Sequence, residues 1–470
     1  MAERADRANR KCCQPGMAAS PWTGLPVPST DPAQRRERAI RLTVAASIGA
    51  KVFSIACTFA QVPLALHYLG TEAYGFWVTL VSIVLILSSV DFGLGVGMQH
   101  AMARAHGNDD VAAMKRSFWT GATVLGVLGL AVLAVGVPLT RARWADVLHI
   151  RDATLRAETG DALLVALAAF VVGLPFNAVA RLAAALQMGW INAWWIAAGS
   201  AFSLGLVAAA AYGHWGFLWF LAASLLVPSL QGFGLFIHLL RLLRWRMRPA
   251  GFAPASEIRT LLRSSLYFAF PQFGIALLQS APALAISVAA GSSSVTAYNL
   301  LMRLFGPFQQ GQFILLTPIW PAYTEAHQRD DHRWVRRTFW RTGAAFCAFA
   351  LGLAMAAWQS HRLLMIWVGS SADLVAPALA GVVALWCLLQ MAAQPFIYYL
   401  MGVGRLRELA WAGTPGFVAS AAILFWGART GAVEGVLEAG CAGLVLTVIP
   451  PLAMTTFRVM RQHEAERVPQ

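Results

Sequence analysis

Charged residues are scarce in this sequence, and acidic ones are the scarcest. Only 12% of the 470 residues are charged, whereas 58% are hydrophobic and the mean hydropathy is +0.59. A soluble domain carries roughly 25% charged residues, so this composition excludes a soluble globular protein and indicates one solvated largely by lipid. The 22 acidic residues against 36 basic ones leave a net charge of +14 at pH 7. The basic residues stand at the ends of apolar segments and not in a polar domain, so no nucleic-acid partner is predicted.

Cysteines at metal-ligand spacing are also lacking. The six cysteines lie at positions 12, 13, 57, 347, 387 and 441. This spacing supports neither a disulfide framework nor a zinc site, and we expect no metal and no cofactor. Residues 1–40 lack an apolar core, which predicts a disordered cytoplasmic tail and not a signal peptide, with Met17 as an alternative start.

Long apolar runs, by contrast, are abundant. A membrane-crossing helix needs about 20 mostly apolar residues. Twelve segments have this length: 42–66, 73–99, 117–139, 161–186, 190–212, 214–240, 263–288, 295–321, 339–357, 376–402, 408–430 and 432–458. Because twelve is even, both termini lie on one side, and the placement of Lys and Arg predicts that this side is the cytoplasm. The predicted outer loops hold few basic residues, namely Arg141, Arg143, Arg151, Arg156, Arg362 and Arg429. These loops are too short for an extracytoplasmic domain, which weighs against an enzyme.

One stretch of the sequence occurs twice. Ala105–Trp119 reads AHGNDDVAAMKRSFW, and Ala326–Trp340 reads AHQRDDHRWVRRTFW. Basic loops resemble each other by composition, but this does not account for the matching Ala-His and Asp-Asp pairs. Six predicted spans separate the copies, so the two halves cross the membrane in the same direction.

The predicted fold class is therefore an all-α polytopic membrane protein. About 12 transmembrane helices form two parallel six-helix bundles, related by a pseudo-twofold axis along the membrane normal. The expected parts after the tail are an N-terminal lobe at 41–240, a cytoplasmic connector at 241–262, a C-terminal lobe at 263–458 and a cytoplasmic tail at 459–470.

Polar side chains follow one face of several predicted spans. Lys51 and Arg303 lie deep within spans one and eight, where a cation is costly unless it meets a partner helix or a wet cavity. We expect both to face a cavity between the lobes and to bind an anion such as a diphosphate. The alternative is that each pairs with a structural acid or carbonyl. The other candidates for this cavity are amides, namely Gln61, Gln272, Gln279, Asn299 and Gln310.

Asp91 is the clearest acid within a predicted span. It lies in the glycine-rich sequence SSVDFGLGVGMQH. Three roles remain open for it: a counter-ion to Lys51, a proton-coupling site, or a structural acid in helix packing.

Three segments carry a family resemblance. They are YLGTEAYGFWVTLVSIVLILSSVDFGLGVGMQHAMARA (Tyr68–Ala105), GSSSVTAYNLLMRLFGP (Gly291–Pro307) and YYLMGVGRLRELAW (Tyr398–Trp411). With them the chain resembles the polysaccharide-unit flippases, which serve O-antigen and exopolysaccharide synthesis, of the multidrug, oligosaccharidyl-lipid and polysaccharide exporter superfamily. The resemblance covers about residues 40–458.

The resemblance implies two six-helix lobes in the bacterial inner membrane that open alternately to each side. It implies a cargo of oligosaccharide on undecaprenyl diphosphate, moved from the cytoplasmic to the outer leaflet, with the polymerase and glycosyltransferases of the same pathway as possible partners. It also implies cations in the central cavity, for which Lys51 and Arg303 are the available positions. Gln279 stands where relatives often have an acid, so their coupling scheme does not carry over.

Three other protein classes are the alternatives. A cation-coupled multidrug exporter of the same superfamily should have an acidic cavity, yet spans one and seven contain no carboxylate. A major-facilitator transporter carries a glycine-rich Asp-Arg signature that both repeat copies lack. A membrane enzyme needs a catalytic acid or histidine, for which Asp91 and His361 are poor candidates. The sequence thus predicts a flippase, with the multidrug exporter as the nearest alternative.

Overall fold

Helices make up almost all of the described structure. The computed structural model describes residues 32–88, 94–108, 110–186, 188–243, 255–316, 319–328 and 331–465. Within these ranges the α-helices are α1 (Pro32–Ser88), α2 (Leu94–Gly107), α3 (Val111–Thr140), α4 (Trp144–Val147), α5 (Ala153–Ala185), α6 (Gly189–Tyr212), α7 (Phe217–Leu242), α8 (Ala255–Ala290), α9 (Ser292–Leu316), α10 (Ile319–Gln328), α11 (His332–Trp358), α12 (Ser360–Val368), α13 (Pro377–Gly402), α14 (Leu406–Gly427), α15 (Val433–Gly443) and α16 (Ile449–Ala465). A π-helical turn at Leu444–Val448 joins α15 to α16, and it is followed after one residue by Pro450 and Pro451, which cannot donate helical hydrogen bonds.

The number of membrane crossings agrees with the predicted twelve. Ten helical segments in the described ranges are long and apolar enough to cross a membrane. The first of them, Ile48–Ser88, contains two crossings because its backbone breaks at Gly70. The remaining crossing is α9, which is long enough but polar, since it carries Asn299, Arg303 and three glutamines. The chain is therefore an all-α, multi-pass membrane protein with about 12 spans, as predicted.

Two glycines form corresponding breaks between consecutive spans. Gly70 has φ 74° and ψ 179°, and Gly291 has φ 84°. A residue with a Cβ is strained at such positive φ values, so glycine suits both positions. Gly70 separates the first two crossings, and Gly291 separates α8 from α9. Each half of the chain thus has a glycine with positive φ between its first two spans.

Several helices extend beyond the predicted apolar spans. Residues 32–40, 255–262 and 459–465, which lie in the predicted tails and connector, are helical. Arg and Glu support a helix as well as leucine does, so these polar ends extend the apolar spans. Of the helix predicted over 73–99, the structure describes residues 73–88 as part of α1 and residues 94–99 as part of α2. Residues 1–31 and Asp91 lie outside the described residues.

The duplicated stretch forms the same local structure in both halves. Asp110 caps the N-terminus of α3 by accepting a hydrogen bond from the Ala113 amide at 2.8 Å. Asp331 caps α11 in the same way, accepting from the Trp334 amide at 3.1 Å. The phenylalanine that follows, Phe118 or Phe339, is buried in both copies. The second aspartate of each copy therefore starts the next span, and the repeat is structural as well as sequential.

The two halves meet close to the breaks at Gly70 and Gly291. The Thr296 hydroxyl donates to the Thr71 carbonyl at 2.6 Å, and the Tyr74 hydroxyl donates to Asn299 Oδ1 at 2.7 Å. Gly75 approaches the Ser292 carbonyl so closely that a Cβ on Gly75 would lie 1.6 Å from that oxygen. Small residues permit such close approach of membrane helices. By the predicted orientation, this lobe contact lies on the outer side.

A second contact between the halves involves α12, the short helix that precedes α13. The Trp367 indole stacks near the Phe59 ring with centroids 4.7 Å apart, and its Nε1 donates to the Phe59 carbonyl at 3.1 Å. A hydrophobic core continues through both halves here, and it includes Val62, Phe76 and Leu364. The halves are thus held together by packing as well as by hydrogen bonds.

Apolar side chains remain exposed along the outer faces of the helices. On α3, Val127, Leu130, Val135 and Leu139 are each more than half exposed. Exposed apolar surface of this extent marks a membrane-facing surface. One face of α3 therefore contacts lipid, and the opposite face packs against other helices of the N-terminal half.

Candidate functional site

A cavity of about 500 Å³ lies between the two halves of the chain. We call it the central cavity, and three helices form its described walls: α1, α6 and α9. Its lining residues are Ala50, Lys51, Ser54, Ile55, Thr58, Phe59, Gly189, Asn192, Ala193, Ile196, Met302, Arg303, Gly306, Pro307 and Gln310. Small side chains at several of these positions leave room for a ligand.

Both predicted cations line this cavity. Lys51 is exposed and shares a face of α1 with Ser54 and Thr58, at helical spacings of three and four residues. Arg303 is half-buried on α9, and its Nε is buried without a hydrogen-bond partner. Neither cation forms an ion pair with any described residue. They come from different halves of the chain, so an anion that contacts both would be held by both lobes.

No carboxylate is found among the described residues that line the central cavity. The alternative that Lys51 and Arg303 pair with structural acids therefore has no support in the described ranges. Asp91, for which a counter-ion to Lys51 is one of three predicted roles, lies outside them. A guanidinium that has a buried Nε and no ion-pair partner among the described residues favours a ligand that accepts hydrogen bonds and carries negative charge.

Arg303 also belongs to a polar group at the lobe contact. It lies close enough to Tyr74 to interact electrostatically with the phenol. The Tyr74 hydroxyl donates to Asn299, which precedes Arg303 by about one helical turn. Asn299 was predicted to line the cavity, but the structure places it in this contact between the halves. The three side chains connect the cavity wall to the lobe contact.

The other predicted amides are distributed unevenly. Gln310 lines the central cavity, at a spacing of seven residues from Arg303. Gln61 is half-buried with an unpartnered Nε2, and Gln279 is exposed; neither lines the cavity. The heptad spacing in span seven fixes which residues share a face, but not what that face contacts. The side chain of Gln272 lies outside the described part of the structure.

Two residues of the site were not predicted from the sequence. Asn192 on α6 lines the cavity as a single polar residue in an aromatic segment, so no periodic pattern indicated it. Ser200, two turns further along α6, places its hydroxyl 3.0 Å from that of Ser54 and links α6 to α1. Tyr74 was noted as part of a family motif, without a role. Within the described ranges, no group of three His, Cys, Asp or Glu residues could hold a metal ion.

Comparisons with known proteins identify the fold. No family model matches the sequence, and no curated protein matches it either. An inward-facing multidrug resistance MATE family transporter of the MOP superfamily superposes with a TM-score of 0.71 at 13% identity, covering 90% of this chain and all of that one. An outward-facing MATE structure gives a TM-score of 0.66 at 14% identity, covering 92% of this chain and 97% of that one. A Vibrio cholerae MATE transporter gives 0.63 at 14% identity, covering 92% and 98%.

The chain therefore has the fold of these MATE transporters. At such low identity the similarity establishes the fold, and the cargo must be argued from the cavity itself.

Proposed function

We propose that this protein is an inner-membrane flippase that moves an oligosaccharide linked to undecaprenyl diphosphate by alternating access. The observation that supports the proposal is the pair of cations, Lys51 and Arg303, which face one cavity from different halves of the chain and form no ion pair with another described residue. A diphosphate offers several anionic oxygens, so it can contact both cations at once. In this proposal both termini are cytoplasmic, as the distribution of Lys and Arg predicts.

The position of the two cations suggests how the cargo drives the conformational change. Without an anion, the positive charges on the two lobes repel each other and favour a separated arrangement. A bound diphosphate reverses this interaction and attracts both lobes. Cargo binding therefore favours closure at the level of the cavity, and closure on that side requires opening of the contact at Tyr74 and Asn299.

The lipid tail of such a cargo needs an apolar path beside the cavity. A groove of about 550 Å³ between α1 and α6 is lined by Gly49, Ala50, Phe53, Trp194, Ala197, Ala198 and Ala201. Ala50 also lines the central cavity. In the proposed mechanism the headgroup occupies the cavity while the tail remains in this groove or in the adjoining lipid.

A cation-coupled multidrug exporter is the second candidate, because the structural neighbours include proteins named as multidrug transporters. The charges of the cavity argue against it for cationic drugs. Lys51 and Arg303 would repel such a cargo, and no described lining residue is a carboxylate to attract it.

Translocation in proteoliposomes distinguishes the two candidates. We expect the purified protein to move undecaprenyl diphosphate carrying a short saccharide between leaflets, and to leave a cationic dye untransported. The control is the Lys51→Ala/Arg303→Ala double variant, which should insert normally and lose translocation. Dye transport that depends on a proton or sodium gradient, without lipid translocation, would establish the exporter instead.

A further inference from the structure

A second cavity, of about 270 Å³, lies within the N-terminal half and adjoins the central cavity. We call it the N-lobe chamber. It is enclosed by α5, α6, α7 and the part of α1 that follows Gly70. Asn192 lines both cavities, so the two spaces meet at this side chain. The function proposed above assigns nothing to the chamber.

Three carboxamides line the chamber: Asn177, Asn192 and Gln231. None of them makes a hydrogen bond to another described residue. The hydroxyl groups of Ser88 and Ser229 donate to backbone carbonyls at 2.7 and 2.9 Å, so their oxygens remain as acceptors toward the chamber. Asn177 is exposed and Asn192 and Gln231 are half-buried, so their donors and acceptors remain available to a ligand in the chamber.

The chemistry of the lining selects a neutral ligand that both donates and accepts hydrogen bonds. No described residue lining the chamber is charged. An anion would find no cation here, and a bare cation would lose its hydration without gaining a carboxylate. A carboxamide is a donor and an acceptor together, and a sugar hydroxyl matches it in both roles.

Aromatic side chains complete this chemistry. Trp195, Phe170 and Phe176 also line the chamber. A sugar ring has apolar C–H faces beside its hydroxyl groups, and aromatic faces suit them. The chamber is smaller than the pockets of about 300–1,000 Å³ that hold drug-sized ligands. It therefore fits one sugar ring and not a whole oligosaccharide.

The position of Gln231 depends on a glycine of the facing helix. A Cβ on Gly199 of α6 would lie 2.3 Å from Gln231 Oε1. The missing side chain of Gly199 thus provides the space that the carboxamide occupies.

From these observations we propose that the N-lobe chamber binds the sugar ring attached directly to the diphosphate of the cargo, and so recognises that the lipid is glycosylated. The proposal rests on the function proposed above, because the diphosphate at Lys51 and Arg303 brings the first sugar to Asn192. The carboxamides of Asn177, Asn192 and Gln231 bind its hydroxyl groups. The chamber thereby distinguishes glycosylated lipid from bare undecaprenyl diphosphate.

Binding to the full-length protein in nanodiscs tests this assignment. The probes are undecaprenyl diphosphate alone and the same lipid carrying one hexose or one N-acetylhexosamine. We expect the wild-type protein to bind at least one glycosylated probe about tenfold more tightly than the bare lipid, as one or two additional hydrogen bonds would give. Asn177→Leu combined with Gln231→Leu should abolish this preference and leave the affinity for bare lipid unchanged.

Two further variants separate recognition from general damage. Gly199→Ala retains every polar group but displaces the Gln231 carboxamide, so it should reduce the preference as well. Gln279→Leu removes an exposed amide that lines neither cavity, and it should keep the preference intact.

The wild-type measurement decides the question by itself, even if a variant fails to fold. Equal affinity for bare and glycosylated lipid overturns the sugar site and leaves the diphosphate site standing. Binding of neither lipid overturns the proposed function and the sugar site together.

Discussion

Single residues determine which charge the central cavity accepts. Lys51 and Arg303 are both long cationic side chains, but only Arg303 carries an unpartnered nitrogen in a buried position. A guanidinium holds two oxygens in a fixed geometry, whereas an ammonium acts as a point charge on a flexible chain. Arg303 is therefore expected to provide most of the specificity for a diphosphate, and Lys51 to add attraction.

Replacement of Arg303 tests this assignment. Arg303→Ala should lower the affinity for undecaprenyl diphosphate about thirtyfold, because a hydrogen bond to a charged group contributes on the order of 2 kcal/mol. Arg303→Lys should recover only part of the loss, since it restores the charge without the planar fork. Lipid binding to the reconstituted protein is the measurement, and Arg429→Ala, at an exposed arginine outside the cavity, is the matched control. Equal losses for Arg429→Ala and Arg303→Ala would show that only net charge matters.

Some site residues follow from the sequence and others do not. Lys51 and Arg303 stand out because a charge within an apolar span is rare, and Gln310 follows Arg303 at heptad spacing. Asn192 was missed because a single amide near a helix start forms no pattern. Gln61 and Gln279 were placed in the cavity because periodicity shows which residues share a face. It does not show how a helix is rotated against its neighbours.

Individual elements set how closely the two halves approach. The contact between α1 and α9 depends on Gly75, which leaves no space for a side chain against the Ser292 carbonyl. A backbone carbonyl cannot move aside as a flexible side chain can. The contact between α1 and α9 therefore has no room for a larger side chain at position 75.

Gly75→Ala should force this contact apart. The added methyl group would meet a backbone atom at 1.6 Å, and overpacking of this kind costs roughly 1–3 kcal/mol. Pulsed electron paramagnetic resonance measures the distance between spin labels at exposed positions 143 and 362. This distance should be longer in Gly75→Ala than in the parent protein. Gly126→Ala is the control, because a Cβ there meets nothing within 4 Å. An unchanged distance distribution in a folded Gly75→Ala protein would contradict the role of this contact.

Loss of the hydrogen bond between Tyr74 and Asn299 should also separate the lobes, but less than Gly75→Ala does. Tyr74→Phe removes the hydrogen-bond donor and leaves the ring in place. The contact between the lobes should therefore lose about 1 kcal/mol of stabilising free energy. The separated population measured with the same two spin labels should rise about fivefold. A second substitution, Asn299→Ala, should add little once Tyr74 is replaced, because both changes remove one interaction. Fully additive effects would indicate that the two residues act separately.

The duplicated aspartates offer a test of the internal repeat. Asp110→Ala and Asp331→Ala each remove an N-cap, which costs about 1 kcal/mol. Hydrogen exchange should accelerate by about fivefold at the Ala113 amide in the first variant and at the Trp334 amide in the second. Asn108→Ala, beside the first cap, should change neither amide. A large effect at only one of the two caps would show that the copies are not structurally equivalent.

The helices themselves were predictable from apolar runs, whereas their exact ends were not. Hydropathy locates a segment that lipid can solvate, but the helix continues wherever the next residues tolerate helical geometry. This explains why residues 32–40 and 255–262 extend their spans. Mean hydropathy does not identify α9 as a span, because its polar residues face the central cavity, as Arg303 and Gln310 do, or bond to other helices, as Asn299 does.

At the scale of the whole molecule, the repeated sequence predicts two parallel halves, and the structure has the fold of the MATE transporters. The pairing of the halves could not be read from the sequence, because it depends on contacts such as Tyr74 to Asn299 that are far apart along the chain. Lys51 lies on the N-terminal half and Arg303 on the C-terminal half. An anionic cargo that binds both therefore couples its recognition to the distance between the lobes.

The most direct test of this account is the distance between the lobes on the cavity side, with and without cargo. Spin labels at exposed positions 112 and 407 report on the ends of the N-terminal and C-terminal halves that are predicted to face the cytoplasm. Addition of undecaprenyl diphosphate should shorten this distance in the wild-type protein and leave it unchanged in the Lys51→Ala/Arg303→Ala variant. A distance that ignores the diphosphate lipid, or one that shortens only with a cationic drug, would contradict the account.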